Sequence, residues 1–235
     1  MLLRRLAKHV EDQNWFAVGI DLAIVVIGVF IGIQVANWND VRVERSIAAT
    51  YVDGFERDLT ADLEIIEVEL AGRSAQLQNA KIVLEFYRGK ELDVSEFFGA
   101  FYPALASRNM RPNRNTIDEV LNSGGLRIIE DSDLRSGLLE LYSIYDQIAD
   151  TEAHIARDFD VYLYDPTFES VPIDIFGPWE DNAQNRSSAE SLLSSLTIEN
   201  GFQLIVVNIE AADGLLYELT LAKEKARQLL KKVRQ

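Results

Sequence analysis

The chain has 235 residues, no cysteine, and 38 acidic against 23 basic side chains, giving a net charge of -15. That balance makes nucleic acid and anionic lipid headgroups poor partners for its surface. The missing thiols exclude disulfides and thiolate metal sites while leaving the compartment open.

The first element is the run Phe16 to Ala36, FAVGIDLAIVVIGVFIGIQVA, with Asp21 as its one charge and with Trp15 and Trp38 at its ends. About 20 mostly apolar residues is the length an α-helix needs to cross the hydrocarbon core, and tryptophans favour its interfaces. The run predicts a transmembrane helix over residues 15–38, after an arm over 1–14 and before a body over 39–235. Arg4, Arg5 and Lys8 would also suit the n-region of a signal peptide. Against cleavage, the apolar stretch exceeds a usual h-region, and the exit Gln34-Val35-Ala36-Asn37-Trp38 lacks a small-x-small pattern. Arg4, Arg5 and Lys8 outweigh Arg42 and Arg45 slightly, which favours a cytoplasmic N-terminus and an external body.

The body reads as all-α. Leu63, Leu70, Leu77 and Leu84 form a strict seven-residue series, with Ile66, Ala80 and Tyr87 as its companion. This predicts a heptad seam on a helix that continues from the membrane to a stop near Gly89. Gly54 and Gly72 are candidate bends in it. Shorter helices are expected over Val94 to Ala106, capped by Asp93 or Ser95, and over Asn115 to Asn122, ended by Ser123-Gly124-Gly125. Leu126-Arg127-Ile128-Ile129 and Val171 to Phe176 could be brief extended pieces.

After the cap signal Asp131-Ser132-Asp133, the residues Leu134, Leu138, Leu141, Tyr145, Ile148, Ile155, Phe159 and Tyr162 predict a second long helix, stopped by Asp165-Pro166. A short helix is expected over Ser187 to Thr197. A third long helix follows from about Ile198 to Arg234, with its seam on Phe202, Ile205, Ile209, Ala212, Leu216, Leu219, Ala226, Leu230 and Val233. The expected architecture is an antiparallel three-long-helix bundle with short helices in its connections.

Asp21, Gly28, Gly32, Gln34 and Asn37-Trp38-Asn39-Asp40, with Asp118-Glu119-Val120-Leu121-Asn122-Ser123-Gly124-Gly125-Leu126 and then Asp133-Leu134-Arg135, carry a resemblance. The pattern resembles a family of uncharacterised bacterial single-span membrane proteins, a domain of unknown function. In that family the span ends in Gln-x-x-Asn-Trp-Asn, and a Ser-Gly-x-Leu segment precedes a Leu-Arg helix. Ile20-Asp21 stands where the family usually has Gly-Glu, and Val120 where Leu is common. The resemblance implies a bacterial membrane-anchored helical protein, and with the slight charge bias the expected place is the inner membrane, with the body periplasmic. It carries over no catalytic residue.

Gly28 and Gly32 form a GxxxG pair, extended by Ala36, and Asp21 and Val25 share their helical face. Small residues four apart let two membrane helices approach closely, although glycine is also common in such helices. Asp21 reads as an interfacial residue, as a contact to a partner or, least favoured because a single span forms no pathway, as a transport or proton-relay group, since an acid within a membrane is costly. In the body, Arg73, Glu152 and Lys223 occupy seam positions that are otherwise apolar. Either the seams drift to the surface there, or Arg73 pairs with Glu152 between antiparallel helices.

Asp150, His154 and Asp158 line one helical face, as metal ligands would, but a solvated face explains them better without a fourth ligand. Glu64, Glu67 and Glu69 read as the wet side of the first long helix. Phe168, Ile173, Ile175, Phe176 and Trp179 make an unusually apolar connection, the best candidate for a partner-binding loop.

With no HExxH motif, phosphate loop or cysteine, the sequence points away from an enzyme and implies no cofactor. The expectation is a membrane-anchored, non-enzymatic interaction or scaffold module. It would self-associate as a homo-oligomer or dock on another envelope protein through the span. A ligand-sensing ectodomain acting through a partner is the alternative.

Overall fold

The structure is a computed structural model that describes residues 15–163, 187 and 198–234. Every regular element among these is helical: α1 (Trp15–Tyr87), α2 (Val94–Ala104), α3 (Asn115–Asn122), a 3-10 turn (Gly125–Ile128), α4 (Ser132–Leu163) and α5 (Ile198–Val233). The chain divides inside α1 into two units, Met1–Thr50 and Tyr51–Gln235.

In the first unit, α1 carries its apolar residues outward. Val18, Ile20, Leu22, Ile24, Val29, Phe30, Ile33 and Val35 are all exposed. Among the described residues this is the helix long and apolar enough to cross a membrane, and none of them covers that stretch. A signal sequence has the same character.

In the second unit α1 stays unbroken, and its two glycines make room for close neighbours. A Cβ on Gly54 would lie 2.7 Å from Thr116 Oγ1, and one on Gly72 would run into the Arg108 guanidinium. The helix ends at Tyr87, and Gly89, whose φ of 98° suits glycine, turns the chain away from it. Asp93 caps α2 by accepting from Glu96 N at 2.8 Å. Gly124, at φ 68°, turns the chain after α3. Residues 125–128 form the 3-10 turn where the sequence suggested an extended piece. Local i→i+3 bonding after a left-handed glycine outcompetes extension there. Asp131 caps α4, accepting from Asp133 N and Leu134 N at 2.9 Å each. These bonds, with the Lys232 ammonium beside it, hold its carboxyl below the usual range.

Helix directions follow from paired contacts. Asp133 and Glu140 of α4 meet Lys232 and Lys225 of α5, so those two helices run antiparallel. Glu56 and Glu67 of α1 meet Arg234 and Lys223, so α5 also opposes α1. Asp62 of α1 faces Tyr145 of α4, however, and Arg73 meets Glu152 further along. The numbers climb together: α1 and α4 are parallel, contrary to the expected antiparallel arrangement. The reason is the connection between them. Phe97 and Ala104 pack in one cluster with Ala80 and Val83, while Arg108 reaches Glu69, Asn113 reaches Asp62, and Ser123 reaches Tyr51. The segment from α2 through α3 thus descends along α1 as a second leg, and the bundle is up-down-up-down with a broken helix as one leg.

The core has two parts. One is built on Phe55, Leu59, Ile66, Leu138, Leu141, Ile148, Leu215 and Leu219. The other is aromatic, with Phe97 at 4.6 Å from Phe86 and 5.3 Å from Phe101, packed against Ala80, Val83 and Ile205. On α1 Ile66 and Ala80 of the companion series are buried with Arg73 between them, Leu84 is the buried member of the leucine series, and Leu63, Leu70 and Tyr87 are half-buried. On α5 the seam is rotated from expectation. Ile205, Ala212, Leu219, Ala226 and Leu230 are buried as expected, but Asn208, Leu215, Ala222 and Leu229 are their buried companions. Phe202 is exposed, and Ile209 and Leu216 are only half-buried. Residues of similar apolarity on two adjacent faces let either face serve until neighbouring helices choose.

Candidate functional site

The second leg stops being helical between α2 and α3. Pro103 sits in the last turn of α2, Pro112 lies further along, and neither offers a backbone N–H. The strap over residues 105–114 therefore enters the bundle with backbone groups that no helix satisfies. Leaving such groups buried and unpaired is costly. Polar side chains planted in the apolar seams of the long helices take up this role.

At the upper end, Gln76 Nε2 donates to Ala104 O at 2.9 Å and to Ala106 O at 3.3 Å. Arg73 Nη2 donates to Arg108 O at 3.1 Å and to Glu152 Oε1 at 2.6 Å, while its Nη1 reaches Gln76 Oε1 at 3.1 Å. Glu152 in turn accepts from Met110 N at 2.9 Å through its other oxygen. The Arg73 and Glu152 side chains are 3% and 6% exposed, so this pair has little water to weaken it. Burial pushes the Glu152 carboxyl above its usual range, against the lowering pull of the Arg73 guanidinium and the Met110 N–H. Asn208 of α5 closes the cluster, its Oδ1 at 3.5 Å from Gln76 Nε2.

At the lower end, Asp62 Oδ1 accepts from Asn113 N at 2.7 Å and from Asn113 Nδ2 at 2.9 Å. Tyr142 OH donates to Asn113 O at 3.0 Å. Tyr145 turns its hydroxyl toward Asp62, but Asp62 Oδ2 and the Tyr145 hydroxyl fall short of a formed bond. Burial pushes the Asp62 carboxyl up, with the Asn113 bonds opposing it and Asp58 adding to it. The same burial raises the Tyr142 and Tyr145 hydroxyls, which the nearby Asp62 charge raises further. Between the two ends, Arg108 pairs with Glu69 at 2.9 Å and Arg114 with Asp146 at 2.7 Å. Glu69 is therefore not part of the wet face, while Glu64 is exposed and Glu67 pairs with Lys223 and Arg227 across to α5.

Of the polar seam residues, Arg73 and Glu152 meet as an ion pair, between parallel helices rather than antiparallel ones. Lys223 lies at the edge of the bundle, 3.1 Å from Glu67. Asp62, Gln76, Asn113 and Asn208 escaped the sequence reading. The signal was present: Asp62 and Gln76 fall in phase with Phe55, Leu59, Ile66 and Ala80 on α1.

Asp21, Val25, Gly28, Gly32 and Ala36 are all exposed, and a Cβ added to either glycine would meet nothing within 4 Å. Asp150 and His154 stand exposed on α4, and the side chain of Asp158 lies outside the described residues. Among the described residues no three acidic or histidine side chains gather as a metal would require. The loop residues Phe168, Ile173, Ile175, Phe176 and Trp179 lie outside the described residues, as does the extended piece suggested at Val171 to Phe176. No family model matches the chain, and no curated protein or solved structure matches it either.

Proposed function

We propose that this protein is a membrane-anchored, non-enzymatic helical module that works by interaction. Residues 15–38 would span a bacterial inner membrane, with the N-terminus cytoplasmic and the bundle in the periplasm. The observation that carries the reading is the stretch from Val18 to Val35: its side chains are exposed throughout, and none of the described residues covers them. In water such a surface would aggregate, whereas in a bilayer it is the expected surface. Among the described residues the body offers little chemistry to set against this. Its buried polar side chains are engaged with the strap backbone and with one another, which is a structural use.

The test is fractionation of cells that express the full chain. Retention in the membrane after alkaline extraction, with the body open to protease only once the outer membrane is breached, is the expected result. A chain released in soluble form without its first 38 residues would overturn the anchor. Cross-linking in native membranes should then capture an oligomer or partner that Gly28→Ile and Gly32→Ile weaken. A strict monomer that copurifies with nothing would refute the interaction role.

A further inference from the structure

Beyond Trp38 the helix leaves the apolar stretch, yet residues 39–50 keep an apolar line that lipid would no longer cover. Val43 is 48% exposed and Ile47 40% exposed. At ~100° per residue, Asn39, Val43, Ile47 and Thr50 fall on one face of the helix. Toward the N-terminus, by steps of three and four, the same face holds Ala36, Gly32, Gly28 and Val25, where the helix backbone is bare. On the opposite face Val41 stands among Asn37 and Arg45 and forms no such line.

The charges beside this line are sorted by sign. Asp40 and Glu44 lie along one edge, and Arg42 lies along the other. Two parallel helices related by a two-fold axis set the first edge of each against the second edge of its partner. Asp40 and Glu44 of one copy then face Arg42 of the other, twice over. An antiparallel pair would set acid against acid, and like charges repel at such spacing.

We infer that residues 39–50 form a parallel, in-register helix pair with a second copy of this chain. The pair has Val43 and Ile47 at its centre and continues into the span along Ala36, Gly32 and Gly28. The inference rests on the anchoring reading and adds the identity of the partner. A shared membrane orientation makes parallel pairing the accessible one.

Because the chain has no cysteine, a single introduced thiol reports on position without background. In the full chain in native membranes, Val43→Cys and Ile47→Cys should give a disulfide-linked dimer under mild oxidation, and Val41→Cys should stay monomeric. On the Val43→Cys background, Arg42→Glu makes both edges acidic and should abolish the dimer. Coexpression with a chain carrying Asp40→Arg and Glu44→Arg should restore it as a mixed dimer only. Equal cross-linking at Val41, none at Val43 and Ile47, or indifference to the charge changes would overturn the pair. If the chain remains in the membrane in those cases, only the pairing falls; if it is lost from the membrane fraction, the anchor falls as well.

Discussion

Breaking the Arg73–Glu152 pair tests how the strap is held. The pair is buried at 2.6 Å, and each partner has a further role toward the strap backbone. Removing one partner of a buried pair typically costs ~3–5 kcal/mol, because the survivor is left as an uncompensated charge. For a body of this size ~1 kcal/mol shifts Tm by ~2–4 °C, so either single change should lower Tm by ~6–20 °C. Arg73→Met, Glu152→Gln and the double variant form a cycle, read by urea unfolding of the full chain in mild detergent. The double variant leaves no buried charge, and the amide oxygen that replaces the carboxylate still accepts from Met110 N. Its cost should therefore fall below the sum of the singles by ~2–3 kcal/mol. The singles should also differ with pH. Arg73→Met leaves Glu152, already pushed up by burial, free to neutralise itself with a proton. A carboxyl that binds its proton more tightly when folded gains stability as pH falls toward its unfolded value. That deficit should shrink in mild acid. Glu152→Gln leaves a guanidinium that cannot lose its charge, and its deficit should persist. Additivity of the two singles within ~0.5 kcal/mol would refute the account.

Asp62 carries a related sign. Its folded carboxyl is raised, so its contribution grows as pH falls through the folded value; Asp62→Asn should flatten that slope in pH-dependent unfolding. Asp62→Leu should cost ~1–3 kcal/mol more than Asp62→Asn, because it strands Asn113 N. Gly54→Ala should destabilise by ~1–3 kcal/mol, since the new Cβ meets the short, branched side chain of Thr116. Gly72→Ala meets the far end of Arg108, which can swing away. The gain of ~1 kcal/mol in helix propensity should leave that variant near neutral in Tm. Lys223→Met should change stability by less than ~1 kcal/mol, because its partner Glu67 is more than half exposed.

The helices and their ends were legible in the chain. The stop near Gly89, the Asp93 and Asp131 caps, the Gly124 turn, the extent of α3 and the start of α4 all lie close to where periodicity and capping residues placed them. Each depends on groups three to five residues apart, and that is the range over which helix hydrogen bonds and caps act. The Arg73–Glu152 pair was half-legible. Two charges in apolar seams advertise a partner, but not which one or in which direction.

The sequence by itself determined that this is an all-helical protein with an exposed apolar helix near its N-terminus. Tertiary structure alone decided that α1 and α4 run parallel and which face of α5 is buried. It also decided that residues 105–114 form the inner strap of a second leg. The strap has no periodicity of its own to read. Its Ala106 and Arg108 carbonyls, its Met110 N–H and both backbone groups of Asn113 are taken up by Gln76, Arg73, Glu152, Asp62 and Tyr142, side chains roughly 30 to 50 residues away in sequence. Such partners meet only when the chain folds back along α1, and no local rule of spacing encodes that return.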